Sequence, residues 1–325
     1  MNKTYFLLFF VSLIFLSCKN ESDSIIRQSR GKINTISVII DDQLWNADVG
    51  DSIRNKFASP VIGLPQEEPL FNINQYPTKL LEGFMTDTRA IIVVKKATIN
   101  KFQIHKNQYA SPQNVFHISG KNPSDIIACI EKNYAKMIQI IKEGEIGETQ
   151  KISKESLLDT QIIANKFRIN IAIPTGYIYV LQKSNFIWLK KEIIGGNTSL
   201  LLYQVPLKTI NRKGDLISCI IKMRDSIGDL YISGKDFNTN MLTEEAYAPY
   251  LTKSSQDGKE IYQTKGTWQL NNDFMSGPFI NYAIVDPEYD RILVLEGFCY
   301  APSKDKRDLM HELEAIIKSA VIAKK

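Results

Sequence analysis

Histidine is scarce in this chain, with His105, His117 and His311 as the only three copies. Three imidazoles leave little room for a His-based metal site, and each has a plainer reading. His105 and His117 fall in alternating, strand-like segments. His311-Glu312 opens like a zincin motif, but Ala315 stands where the second His would be needed. A Gly-rich phosphate loop, a nucleophile elbow and an EF-hand loop are also lacking. These gaps remove the commonest nucleotide, serine-hydrolase and calcium chemistries, and no cofactor and no metal are expected.

Charge of one sign is lacking too. Forty Lys and Arg face 35 Asp and Glu, for a formal net charge of +5, and the two signs are interspersed. Lys95-Lys96 and Lys190-Lys191 close β-like runs and read as solvated strand ends, so no nucleic-acid partner is expected.

Long apolar runs are missing as well. The twelve residues from Tyr5 to Leu16 fall short of the ~20 needed to span a bilayer. Preceded by Lys3 and followed by Ser17-Cys18, they have the layout of a secretory signal whose removal leaves a cysteine first. Such a cysteine is acylated through its sulfur in bacterial lipoproteins. Residues 1–17 are therefore expected to be a lipoprotein signal peptide, Cys18 the lipidation site, and 18–34 a flexible tether. The membrane, reached through the lipid on Cys18, is the first expected partner. Lys19, in place of Asp, points to the outer membrane, facing either the periplasm or the surface. Cys129, Cys219 and Cys299 remain, each inside an apolar pattern (IIACI, ISCII, GFCYAP), and read as unpaired buried thiols.

What is present alternates between strand and helix periods. Strands are expected near 36–40, 89–96, 102–105 and 115–118. Val49, Ile53 and Phe57 mark a helix opened by Asp48. Asn122-Pro123-Ser124-Asp125 supplies a cap, a first-turn proline and an acid, opening a helix to about Lys142 with Ile126, Ile130, Tyr134, Met137 and Ile141 on one face. EGEIGETQ, 143–150, reads as a break, dividing the chain into an N-terminal half, 35–150, and a C-terminal half, 151–325. A second helical stretch is expected from Ser153 to about Asn165. Strands at 167–173, 186–191 and 199–205, a helix from Leu216 to Leu230, a long polar loop 233–259, and strands at 261–270, 279–285 and 291–300 follow. Ser303 is expected to cap a last helix. The resulting class is α+β, with antiparallel sheets covered by helices in two α/β-sandwich (ferredoxin-like) halves.

Three places invite a chemical reading. Glu67 and Glu68 lie between two prolines, where paired carboxylates could serve as acid and base; a rigid loop with one acid capping and the other solvated is the plainer reading. Aromatics, Trp268 among them, are dense in the last third and could form a saccharide or peptide groove, although strand aromatics usually pack in cores. In FMSGPF, Phe274 to Phe279, Gly277-Pro278 suggests a bend, with Phe274 and Met275 on a binding rim or plugging a turn.

Cys18, Trp45, LPQEEP at 64–69, Arg89, PTGY at 174–177, Arg224-Asp225, LTEE at 242–245, GTW at 266–268, FMSGPF, and LEGFCYAP with Lys306-Arg307 occur together. In this combination the chain resembles a family of Gram-negative lipoproteins known only as a domain of unknown function. The resemblance covers nearly all of the chain beyond Cys18. It implies an envelope location and one full-length unit, and carries no reaction.

The reading is a membrane-tethered cell-envelope lipoprotein that acts as a non-enzymatic binding or adaptor module for an envelope protein, peptide or glycan. Its candidate binding residues are Glu67, Glu68, Arg89, Trp268, Phe274, Met275, Gly277 and Pro278. One alternative is a carboxylate-based envelope hydrolase or transferase, with Glu67, Glu68 or Glu296 converging near Arg89, Arg224 or Trp268. Another is a structural or assembly factor.

Overall fold

The computed structural model describes residues 27–81, 83–210 and 214–324; the expected signal peptide and Cys18 lie outside them. The first half builds one sheet from β1 (Thr35–Ile39), β2 (Asn72–Tyr76), β3 (Ala90–Lys96), β4 (Lys101–Lys106) and β5 (Asn114–Gly120), in the order β2-β1-β3-β5-β4. The helices α1 (Asp48–Phe57) and α2 (Pro123–Ser153) cover one of its faces.

Strand β3 carries AIIVV, a run apolar on both sides. Ile92 and Val94 face α1 and α2, while Ile91 and Val93 join Ile39 and Val115 on the other face. The pairs β1/β2, β1/β3 and β3/β5 are parallel, and only β4 runs antiparallel to its neighbour β5. This departs from the antiparallel, ferredoxin-like first half expected from the sequence. The cause is connection length: α1 carries the chain back to the starting end between β1 and β2, which a tight hairpin cannot do.

Helix α2 also runs past the expected stop at Lys142, through Gly144 and Gly147 to Ser153. Each interior glycine costs about 1 kcal/mol of helix propensity. Tertiary bonds to the buried Glu145, described below, offset that cost.

The second half begins with α3 (Gln161–Phe167), shorter and later than the expected helix, and a larger sheet follows. Its strands are β6 (Ile178–Lys183), β7 (Phe186–Ile193), β8 (Gly196–Pro206), β9 (Met241–Thr243), β10 (Tyr250–Gln256), β11 (Lys259–Leu270), β12 (Ser276–Asp286) and β13 (Arg291–Tyr300). All pairings are antiparallel in the order β6-β7-β8-β13-β12-β11, with β9 and β10 sharing the outer edge of β11.

Period-two alternation splits these strands between two cores. Leu200, Leu202, Ile280, Leu293 and Leu295 pack under α5 (Arg307–Lys318), whereas Leu201, Tyr203, Phe279, Val294 and Phe298 pack under α4 (Leu216–Tyr231). Gly297 lets α5 lie close: a Cβ there would come within 2.8 Å of the Leu313 Cβ. Mixed helices and sheets with mostly antiparallel pairing make the chain an α+β protein. Among the described residues no helix is long and apolar enough to cross a membrane.

Candidate binding cleft

The charged residues Arg89, Glu68, Arg224 and Glu296 fall into three separate hydrogen-bonded networks. The first ties the two halves together. Arg89, just before β3, donates from Nε to Glu145 Oε1 at 2.9 Å and from Nη2 to Glu145 Oε2 at 3.0 Å, and also reaches the carbonyls of Gly31 and Lys32. Glu145 accepts in addition from the backbone N–H of Asn34, whose side chain donates to Asp308 of α5 at 2.9 Å. Thr149 of α2 shares a hydrogen bond with His311 Nε2 at 3.0 Å. Burial holds the His311 pKa below its ordinary value although Glu145 and Glu314 pull the other way.

The second network is the LPQEEP loop. The buried Glu68 carboxylate accepts from the backbone N–H groups of Lys306 at 2.7 Å and Arg307 at 2.8 Å, at the start of α5, while Glu67 is exposed. Sequence reasoning placed the cap on Ser303. Glu68 performs it instead, from the other half of the chain.

The third lies under α4. The Arg224 guanidinium donates to Glu296 Oε1 at 2.9 Å and to Thr243 at 3.0 Å, and lies 3.9 Å from the centre of the Phe279 ring. Asn281 donates to the other Glu296 oxygen at 2.8 Å. Burial raises the Glu296 pKa even against the charge of Arg224. Arg224-Asp225, the LTEE threonine, the last Phe of FMSGPF and the LEGF glutamate thus meet in one buried cluster that pins α4 to the sheet.

Trp268, Phe274, Met275, Gly277 and Pro278 divide as well. Trp268 is buried, donates to the Cys299 carbonyl at 3.2 Å and stacks edge-on with Phe298. Phe274 is fully exposed on the turn before β12, and Met275 is half-buried against the α4-side core. Gly277-Pro278 makes no bend. Both residues are buried within β12, opposite Trp268 and Thr267, just before pairing with β13 begins at Phe279, where the missing proline N–H breaks no ladder bond. All three cysteines among the described residues are unpaired: Cys299 is buried, its thiol pushed up to about 12 by burial, while Cys129 and Cys219 are only half-buried.

Glu68 and Glu296 therefore serve different networks and do not converge with Glu67 on one acid–base centre. Among the described residues no group of three or more His, Cys, Asp or Glu side chains is placed to hold a metal ion.

What does converge is a cleft at the junction of the halves. The segment 61–64 and Leu70, α2 through Lys142 and Ile146, β11 through Lys265, β12 through Pro278 and Ile280, and one side of α5 line a cleft of about 80 Å³ that opens to solvent. Leu64 of LPQEEP and Pro278 of FMSGPF both line it. Of the cationic side chains in its wall, Arg307 belongs to a segment singled out from sequence, whereas Lys142, Lys265 and Lys318 do not. They lie on three elements, α2, β11 and α5, and no local spacing links them.

No curated protein matches the chain. Among solved structures it is similar to the Ran-binding protein Mog1p of Saccharomyces cerevisiae, at 11% identity over 48% of this chain and 91% of that one, with a TM-score of 0.32. It is also similar to the PsbP protein CyanoP of Synechocystis, at 11% identity over 48% and 88% and a TM-score of 0.33. A third similar structure is LpqN, involved in cell envelope biogenesis of Mycobacterium tuberculosis, at 12% identity over 48% and 83% and a TM-score of 0.29. Overlaps this slight carry no functional argument. Residues 29–154 match a domain of unknown function, DUF8532, and residues 156–319, half of the chain, match a second, DUF4837. The chain belongs to the DUF4837 family, a domain of unknown function.

Proposed function

We propose that the protein is a lipid-anchored, non-enzymatic binding module of the cell envelope, tethered through Cys18 to the outer membrane, whose ligand occupies the cleft between the halves. The observation that carries this reading is the convergence of Leu64 and Pro278, from the two most distinctive sequence segments, on one concavity closed by α5. Of the acidic and basic residues that could have driven hydrolysis, Glu68, Arg89, Arg224 and Glu296 are engaged in the three structural networks, and Glu67 stands apart from them, exposed. The Cys18 anchor rests on the signal layout alone.

The test has two arms in the native host. Mass spectrometry of the N-terminal peptide should find Cys18 acylated, with Cys18→Ser releasing the protein from membranes. A photo-crosslinking residue at Ile62, exposed at the mouth of the cleft, should yield a discrete adduct that the same residue at exposed Ile99 does not. An unmodified Cys18 would remove the anchor, and equal labelling at both positions would remove the cleft.

A second reading, an assembly factor, draws on Phe237 and Phe274, both essentially fully exposed. Their loops are held side by side where Asn240 N–H donates to the Asn271 side chain and Asn271 N–H to the Asn240 carbonyl. Loss of co-purifying envelope proteins from a Phe237→Ser, Phe274→Ser variant that still retains cleft adducts would favour it.

A further inference from the structure

Charge and apolarity are segregated in the junction cleft. Its wall is aliphatic, with Val61, Leu64, Leu70, Ile146, Ile280 and Met310. Its rim gathers ammonium groups from three elements: Lys142 of α2, Lys265 of β11 and Lys318 of α5. The sole carboxylate in the lining is Glu314, which is already shared. It accepts from Lys318 at 3.1 Å, Lys265 at 3.3 Å and the Tyr282 hydroxyl at 2.8 Å. Arg307 also borders the cleft, but its guanidinium is engaged by Asp308 at 2.9 Å and by the Pro69 carbonyl at 2.9 Å.

Lys142 has no ion-pair or hydrogen-bond partner among the described residues. Its pKa is lowered, first by the protein mass around its ammonium and then by the neighbouring charges of Lys265 and Lys318, although Glu314 pulls the other way. Three lysines against one glutamate leave two positive charges uncompensated beside a dry wall. An anion brought there would relieve the repulsion among the lysines, in a setting where a charged hydrogen bond is stronger than on open surface.

We propose that the cleft receives a small amphipathic anion, a single acyl chain ending in a carboxylate or phosphate, with its head among Lys142, Lys265 and Lys318 and its chain along the aliphatic wall. This rests on the reading of the cleft as a binding site and names the class of its ligand. The surplus charge selects an anion over a neutral saccharide.

The probes are dodecanoate and dodecyl phosphate below their micellar concentrations, neutral 1-dodecanol, inorganic phosphate, and an apolar tripeptide with a free C-terminus, titrated calorimetrically against the full chain. One dodecanoate or dodecyl phosphate should bind per chain, whichever head is preferred identifying the source. Lys142→Gln should weaken that binding about tenfold, the loss of one charged contact, with dodecanol affinity unchanged and Lys142→Arg restoring most of the loss. Lys142 makes no side-chain hydrogen bond or ion pair among the described residues, so its substitution breaks no contact that folding needs; Lys318→Gln provides an independent second variant.

Equal affinity for dodecanol and dodecanoate, indifference to Lys142→Gln, inorganic phosphate binding as tightly as dodecyl phosphate, or binding of the tripeptide alone would each overturn the proposal. If no acyl anion binds while the Ile62 adduct persists, the ligand class fails and the cleft reading stands. If neither is seen, both fail.

Discussion

The carboxylate of Glu68 receives the backbone N–H of Arg307 at 2.8 Å, a bond spanning 239 residues. The first N–H groups of a helix have no partner within it, and a carboxylate at that end is doubly favoured, as acceptor and as charge against the helix dipole. The loop that presents Glu68 is itself closed: Val61 N–H donates to the Glu68 carbonyl at 2.9 Å, and Pro60 pairs with Pro69 across it. One segment thus caps α5 with Glu68 and walls the cleft with Val61 and Leu64.

Replacing Glu68 with Ala should therefore lower stability by about 1–2 kcal/mol, the range for a lost helix cap. Glu67→Ala, on the solvated side of the same loop, should change it by no more than about 0.5 kcal/mol. Urea denaturation followed by tryptophan fluorescence compares them. Equal effects from both substitutions would show that the capping bonds contribute nothing.

Glu314 links stability to pH. Burial alone would raise its pKa, but Lys265, Lys318 and the Tyr282 hydroxyl outweigh burial and bring it to about 2, against an ordinary 4.5. A carboxyl depressed by folding contributes stability that is fully present above its unfolded pKa and is lost as pH falls toward its folded one. Wild type should exceed Glu314→Gln by roughly 3 kcal/mol at neutral pH, and the gap should close between pH 4.5 and 2. A gap that stays constant across that window would mean that the lysines do not hold the carboxylate ionised.

Much of the fold is legible in period alone. The apolar run in Arg291–Tyr300 marks β13 at its observed ends, and the stripe from Ile126 to Ile141 marks α2. The rest depends on partners distant in sequence. The α2 stripe continues in register to Glu145 and Glu148, both buried, but a glutamate at a core position reads as a break until Arg89 is known to meet it. Strand β10 is nearly all exposed and polar, so it shows no apolar alternation and reads as loop. The three-sided gathering of lysines at the cleft exists only once α2, β11 and α5 are packed. A buried charge standing in an otherwise apolar stripe is the signal that could have flagged the junction.

The Arg224–Glu296 pair is nearly solvent-free on both sides, at 2% and 1% exposure. Removing one partner leaves the other charge buried without compensation. Arg224→Met should cost about 3–5 kcal/mol, while Arg224→Met combined with Glu296→Gln should recover a large part of it, because the orphan charge is gone. A double variant no more stable than the single one would assign the loss to packing of the arginine over Phe279 instead of to the charge.

Phe274 and Gly277 sit three residues apart in FMSGPF yet should respond oppositely to substitution. A Cβ at Gly277 would stand 2.0 Å from the Cys299 carbonyl oxygen and 3.1 Å from Trp268 Nε1, which itself donates to that carbonyl. The contact is with backbone in the adjoining strand, so no side-chain rotation relieves it and the β12–β13 ladder must part. Gly277→Ala should destabilise by at least about 3 kcal/mol, the upper range for overpacking. Phe274 is fully exposed on the preceding turn, and Phe274→Ala should leave stability within about 0.5 kcal/mol. Thermal unfolding of the two variants gives the comparison. A Gly277→Ala protein as stable as wild type would mean that β12 and β13 do not approach as closely as their backbones indicate, and a loss of binding in Phe274→Ala at unchanged stability would assign that ring to a partner.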